Sequence, residues 1–200
     1  MKKFITLLIV LLAFSSIQAQ SGYIGVSAGY AVPGGDAIDG LEDGIDLGFI
    51  HLGYRFTENW GMVANLNSSG HLLEGSDVMA YGIAYIGIGP MYTLPINDRM
   101  SLDIKPQAAM RLTGKPSGFG YQDGVNLDNI IFRGNGLLLG TSLVMGGQRG
   151  FAFSLNLDYL SGTWTKVEYD GEEFDWSEMG SNNPDDLTQF KVGVGVRYNF

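Results

Sequence analysis

From Gln189 to Phe200 the chain alternates without a break. Phe190, Val192, Val194, Val196, Tyr198 and Phe200 are apolar; Gln189, Lys191, Gly193, Gly195, Arg197 and Asn199 between them are polar or glycine. Successive side chains of a β-strand point to opposite faces. One face therefore carries valines between aromatics, and the other carries two cations and two glycines. A strand of about 9–11 residues with a lipid-facing apolar band between aromatic girdles is what a transmembrane β-barrel requires.

Seven earlier segments read the same way. Residues 22–32 set Ile24, Val26, Ala28, Tyr30 and Val32 against Gly25, Ser27, Gly29 and Ala31. Residues 45–56 oppose Ile50, Leu52, Tyr54 and Phe56 to His51, Gly53 and Arg55. There Leu47 and Phe49 have the wrong parity, which predicts a bulge or an apolar plug near the mouth. Residues 60–69 follow with Trp60, Met62, Ala64 and Leu66 on the apolar face. Residues 78–94 change parity, from Met79, Tyr81, Ile83 and Tyr85 to Ile86, Ile88 and Tyr92. Residues 100–113 place Leu102, Ile104, Pro106, Ala108, Met110 and Leu112 outward, with Asp103, Lys105, Gln107 and Arg111 opposite. Residues 135–146 and 150–161 complete the set, led by Leu137, Leu139, Phe151, Phe153 and Tyr159.

The connections alternate in length. Residues 57–59, 95–99 and 147–149 are short, whereas 33–44, 70–77, 114–134 and 162–187 are longer. An even number of strands with short turns on one side and long loops on the other fits an outer-membrane barrel. The predicted fold is all-β, an eight-stranded antiparallel up-and-down transmembrane barrel. The termini and short turns would lie in the periplasm and the four long loops outside the cell. The non-lipid face is often Gly, Ala or Ser, as at Gly25, Ser27, Gly29, Gly53, Gly61, Gly140, Ser142, Gly193 and Gly195. Small residues suit a lumen only wide enough to be filled by side chains.

The start of the chain agrees. Lys2 and Lys3 precede an apolar run over 4–14, followed by small residues ending at Ala19. This is the pattern of a secretory signal peptide over 1–19, leaving residues 20–200 as the barrel. No cysteine is present, so no disulfide framework contributes. Without Lys2 and Lys3, 10 basic residues remain of the 12, against 21 acidic ones, a net charge of −11. That balance and the lack of a basic stripe exclude nucleic acid as a partner.

Charges of both signs fall on the lumen face: Arg55, Asp103, Lys105, Arg111, Asp158, Lys191 and Arg197. In a narrow lumen they must pair or bond to water. They predict a structural network that fills the barrel, with an ion path as the alternative. The last loop is acidic. Asp170, Glu172, Glu173, Asp175 and Glu178 form its densest part, interleaved with Trp164, Tyr169, Phe174 and Trp176. These carboxylates could hold Ca²⁺ weakly or make loop contacts, but they lack the regular spacing of a calcium loop. His51 reads as a lumen residue and His71 as a loop residue, and no metal-ligating or cofactor motif includes either.

The terminal strand ending in Tyr198 and Phe200 resembles the C-terminal strand that the outer-membrane assembly machinery reads in bacterial barrels. With the signal peptide, strand count and loop rhythm, the chain resembles the small OmpA/OmpX-like outer-membrane β-barrel family, particularly its Bacteroidota versions. The resemblance implies a structural or surface-interaction role, with outer-membrane lipid, lipopolysaccharide and an extracellular protein as partners. A narrow, porin-like path for ions or small solutes is the alternative. A lipid-modifying enzyme is the weakest reading. The His-x-Ser of the lipid A deacylase family is missing, because Leu52 and Gly53 follow His51 and Leu72 and Leu73 follow His71. No catalytic residue is assigned.

Overall fold

The computed structural model describes residues 21–122, 125–175 and 186–200. Eight long strands form the wall: β1 (Ser21–Gly34), β2 (Gly44–Arg55), β3 (Trp60–Leu72), β4 (Ala80–Asn97), β5 (Met100–Ser117), β8 (Ile130–Gly146), β9 (Gly150–Tyr169) and β11 (Asp186–Asn199). Short strands β6 (Tyr121–Gln122) and β7 (Val125–Asn126) pair with each other in a loop, and β10 (Glu172–Asp175) folds back on β9. Every wall strand pairs antiparallel with its sequence neighbour, and β1 pairs with β11 from Tyr23↔Asn199 to Gly34↔Thr188. The β8–β9 and β9–β11 ladders complete the ring, so the wall has no free edge. The Phe200 and Gly22 backbones exchange hydrogen bonds of 2.9 and 3.0 Å at the seam.

Alternation decides which side chains meet lipid. On β11, Phe190, Val192, Val194, Val196 and Tyr198 are exposed on the outside, while Gln189 and Lys191 are buried in the lumen. At the short-turn end the outer wall carries aromatic pairs, Trp60 against Tyr92 (4.8 Å between ring centroids) and Phe151 against Tyr198 (5.2 Å). At the long-loop end Tyr159 and Phe190 stand side by side in register, with Tyr30 beside Val192 on the next strand. Two aromatic girdles thus bracket the aliphatic band.

The parity break of β2 is a β-bulge. The register shifts between Gly48 and Ile50 against β3 and between Gly48 and His51 against β1, and Phe49 and Ile50 are both exposed on the outside. No plug forms from Leu47 and Phe49, which are exposed.

Three expectations need correction. First, β4 does not change parity. Tyr81, Ile83 and Tyr85 are buried in the lumen and continue the inward row of Gly87, Gly89, Met91 and Thr93. Their hydrophobicity belongs to an internal core, which an apolar pattern alone cannot distinguish from a lipid-facing stripe. Secondly, β5 breaks parity where the sequence alternates cleanly. Its register shifts between Ala109 and Leu112, with Arg111 at φ 51°. The bulge turns Arg111 outward and Leu112 inward, so Arg111 is not a lumen charge. Thirdly, β3 runs on to Leu72, and His71 lies on that strand, buried in the lumen, rather than in a loop.

Candidate functional site

The lumen divides into three zones along the barrel axis. At the loop end it is filled by carbon. Ile38, Ile83, Leu112, Leu138, Leu160, Trp164 and Leu187 form one buried cluster with Tyr81, Tyr85 and Ala109. Trp164 is 1 % exposed, and Phe132 stacks on it at 5.9 Å, tilted by 42°. Burying such side chains contributes about 1.5–3 kcal/mol each, so the zone acts as a packed core within a membrane wall.

The middle zone is ionic. The Lys191 Nζ donates to Asp46 Oδ1 at 2.6 Å and lies 4.8 Å above the Tyr85 ring. Arg197 Nη1 donates to Asp103 Oδ2 at 2.6 Å, and Thr93 Oγ1 donates to Asp103 Oδ1 at 2.7 Å. The Arg197 guanidinium also sits 4.4 Å over the Tyr23 ring. Lys105 Nζ donates to Ser142 Oγ at 2.7 Å, which donates onward to Asn156 at 2.6 Å. Asp158 is buried, and its Oδ1 lies over Gly140, with the Lys105 stem on the same side. A chamber of about 20 Å³, the size of one water, lies between Ser27, His51, Lys105, Ser142, Asn156 and Arg197.

Glycines make room for these groups. A Cβ on Gly87 would meet Gln107 Oε1 at 2.7 Å and the Asn65 amide closer still.

The turn end opens into a vestibule of about 550 Å³ lined by Ser21, Arg55, Asn59, Thr93, Arg149 and Arg197. Arg55 is half-buried there, its Nε donating to Ser21 Oγ at 2.7 Å.

Of the seven predicted lumen charges, the structure places Asp103, Lys105, Asp158, Lys191 and Arg197 in the middle zone and Arg55 at the vestibule. Arg111 lies outside. Sequence reasoning missed Asp46, the partner of Lys191, because the bulge at 49–50 hides its parity. Read backwards from that bulge, Asp46 and Gly48 alternate with Leu47 and Phe49, a signal that was present. The two histidines also gain partners that no local motif showed. His51 Nε2 meets Ser27 Oγ of β1 at 2.9 Å. His71 lies 3.0 Å from the Glu42 carbonyl through Nδ1 and 2.8 Å from the Gln189 amide through Nε2, with Ser69 Oγ at 3.1 Å.

The acidic loop is partly neutralised by the outer wall. Glu173 lies on β10, where Lys166 Nζ donates to it at 2.9 Å and Arg133 Nε stands 3.8 Å away. Arg133 also pairs with Glu168. The hydrogen bond from Lys166 holds the Glu173 carboxyl below its ordinary value and the Lys166 ammonium above its own. Asp170, at φ 49°, accepts from Asn129 Nδ2 at 2.8 Å. Glu172 and Asp175 are exposed on the same strand, while Glu178 lies outside the described residues. Among the described residues no three His, Cys, Asp or Glu side chains gather as a metal site would require.

A closed eight-stranded ring with an aliphatic outer band and a filled lumen defines a small transmembrane β-barrel of the bacterial outer membrane. The family model described as the outer membrane protein beta-barrel domain matches residues 4–200, and the chain belongs to that family. No curated protein matches the sequence. Among solved structures, neisserial surface protein A is similar at 14% identity and a TM-score of 0.58, over 92% of this chain and 100% of that one. The attachment invasion locus protein Ail of Yersinia pestis, in complex with the heparin analogue sucrose octasulfate, is similar at 16% identity and a TM-score of 0.50, over 90% and 100% of the respective chains. At these identities the likeness shows the fold.

Proposed function

We propose that this barrel is a non-conducting, non-enzymatic scaffold that anchors its long loops at the cell surface for contacts with envelope or extracellular partners, with the termini and short turns in the periplasm. The filled lumen is the observation that carries this reading. Apolar side chains close the loop end and ion pairs close the middle zone, where the described residues leave a chamber for about one water, and a vestibule opens at the turn end. A porin-like path would need a continuous wet route past Trp164 and Leu160, both 1 % exposed or less. The Ser27–His51 contact faces the lumen, away from lipid, which argues against a lipid-modifying site. Partner contact then falls to the loops and the outer wall.

Two measurements test the reading. Refolded protein in a planar bilayer is expected to give no discrete conductance steps; reproducible steps would refute the scaffold. Because the chain has no cysteine, Asp77→Cys in the 73–79 loop supplies a single reactive thiol. A membrane-impermeant maleimide should label it on intact cells, and labelling only after lysis would reverse the orientation.

A further inference from the structure

The charges inside the barrel do not cancel. From the middle zone to the vestibule, four cations (Arg55, Lys105, Lys191 and Arg197) meet three carboxylates (Asp46, Asp103 and Asp158) on the described strands. Glu58, Asp98 and Arg149 stand exposed at the vestibule rim, where water screens them. Asp46 is taken by Lys191 and Asp103 by Arg197. The register runs Lys105↔Gly140↔Asp158↔Lys191, so Asp158 is shared between two ammonium groups. Lys105 is 4% exposed, yet among the described residues its Nζ makes one hydrogen bond, to Ser142 Oγ, and no ion pair. An ammonium carries three donors, and a buried cation without a close counter-charge is costly.

The spare donors gather around the chamber of about 20 Å³. Lys105 and Arg197 both line it. The Arg197 side chain is 10% exposed, and its Nε is buried and makes no hydrogen bond among the described residues. Ser154 and Asn156 line the same space, and Asn156 Oδ1 already accepts from Ser142. That leaves the Asn156 amide as a further donor. Among the described residues no carboxylate lines the chamber. A Cβ on Gly195 would meet Ser154 Oγ at 2.7 Å and Asn156 Nδ2 at 3.2 Å, so this glycine lets the polar groups stand at the wall. Arg197 lines the vestibule as well, which joins the chamber to the aqueous turn end.

We propose that this chamber binds a monatomic halide, chloride in ordinary media, as the counter-ion of Lys105 and Arg197. Two ionised donors and an amide converge there without an acceptor of their own charge, and charge-assisted hydrogen bonds to an anion are the strong ones. A water could accept from the same groups, but only an anion also offsets the excess cation. One bound halide brings the four cations and three carboxylates to balance. A chamber the size of one water excludes carboxylates, phosphate and sulfate. The apolar cluster around Trp164 and Leu160 closes the lumen beyond it, so the halide is held rather than passed through.

The test is urea unfolding of the full-length protein refolded into phosphatidylcholine vesicles, with chloride exchanged for gluconate at constant sodium and ionic strength. Once the site is more than half filled, each tenfold rise in chloride should lower the unfolding constant about tenfold, the limit for one site on the folded state. Bromide should replace chloride. Asn156→Asp keeps the acceptor for Ser142 and adds a fixed negative charge to the chamber wall, so it should fold and lose the halide dependence. Lys105→Met should lose it too, whereas Arg149→Ala at the rim should keep it. Heat-modifiable migration reports folding of every variant, and non-specific salt effects act on all of them alike. An unfolding constant indifferent to chloride in the unaltered protein, or a full halide dependence in folded Asn156→Asp, would overturn the proposal. Anomalous scattering from bromide-soaked crystals should place a bromide between Lys105 and Arg197; bromide found only at the rim or on the outer wall would also overturn it.

Discussion

Replacing Lys191 by methionine should destabilise the barrel strongly, and replacing its partner as well should restore much of the loss. The Lys191 side chain is 2% exposed, and its Nζ lies 2.6 Å from an Asp46 carboxylate that is 10% exposed. At an effective dielectric of about 20, the attraction at that separation is roughly 6 kcal/mol before desolvation is subtracted. Lys191→Met removes it and leaves Asp46 unpaired in a narrow lumen, at an expected cost of about 3–5 kcal/mol. Methionine refills the volume under Tyr85, so the loss is electrostatic rather than a cavity. Asp46→Asn alone strands the ammonium and should cost a comparable amount. In the double variant neither charge remains, and its cost should fall about 2–4 kcal/mol below that of either single variant. Urea unfolding in lipid vesicles, followed by tryptophan fluorescence and heat-modifiable migration, measures all four corners of the cycle. Single-variant effects that add to within about 0.5 kcal/mol would show that the pair is not coupled and that the middle zone is hydrated well enough to stabilise each charge alone.

Two further outcomes follow from the same geometry. Gly193→Val should destabilise the seam between the first and last strands by about 1–3 kcal/mol, because a Cβ there would meet the Ala28 carbonyl oxygen at 2.7 Å and Gly29 Cα at 3.1 Å; normal urea stability of the folded variant would refute that close approach. The β9–β10 hairpin should depend on pH: the lowered Glu173 contributes stability above its ordinary value of 4.5 that is lost as pH falls through its folded value, and the raised Lys166 contributes stability below its ordinary 10.5 that is lost as pH rises through its own. Amide protection of residues 172–175 should therefore hold from about pH 5 to pH 10 and fall on either side, and protection unchanged at pH 3 would contradict the ion pair.

Regular alternation was enough to read the wall. β11 and β1 carry one face of valines, aromatics and isoleucine and another of glycine and polar groups. A period of two leaves only one way to bury such a strand in lipid. The rhythm of short and long connections then placed the strands as neighbours in order, because antiparallel hairpins need little chain. Sequence therefore determined the fold class, the strand order and most of the lumen face.

What it could not determine were the bulges and the destination of an apolar row. One inserted residue reverses every side chain beyond it, and whether an irregular stretch is a bulge depends on the partner strand. At Phe49 the doubled apolar residues gave the bulge away. At Arg111 nothing did, since Met110, Arg111 and Leu112 alternate as an unbroken strand would. Tyr81, Ile83 and Tyr85 are equally apolar to lipid and to a core, and only the residues that close around them, Leu112, Leu160, Trp164 and Leu187, settle that they fill the lumen. Lys191 finds Asp46 across 145 positions of sequence because ring closure pairs β11 with β1, leaving only that strand between β11 and β2. Local pattern fixes which face a side chain takes; only the closed ring fixes what that face meets.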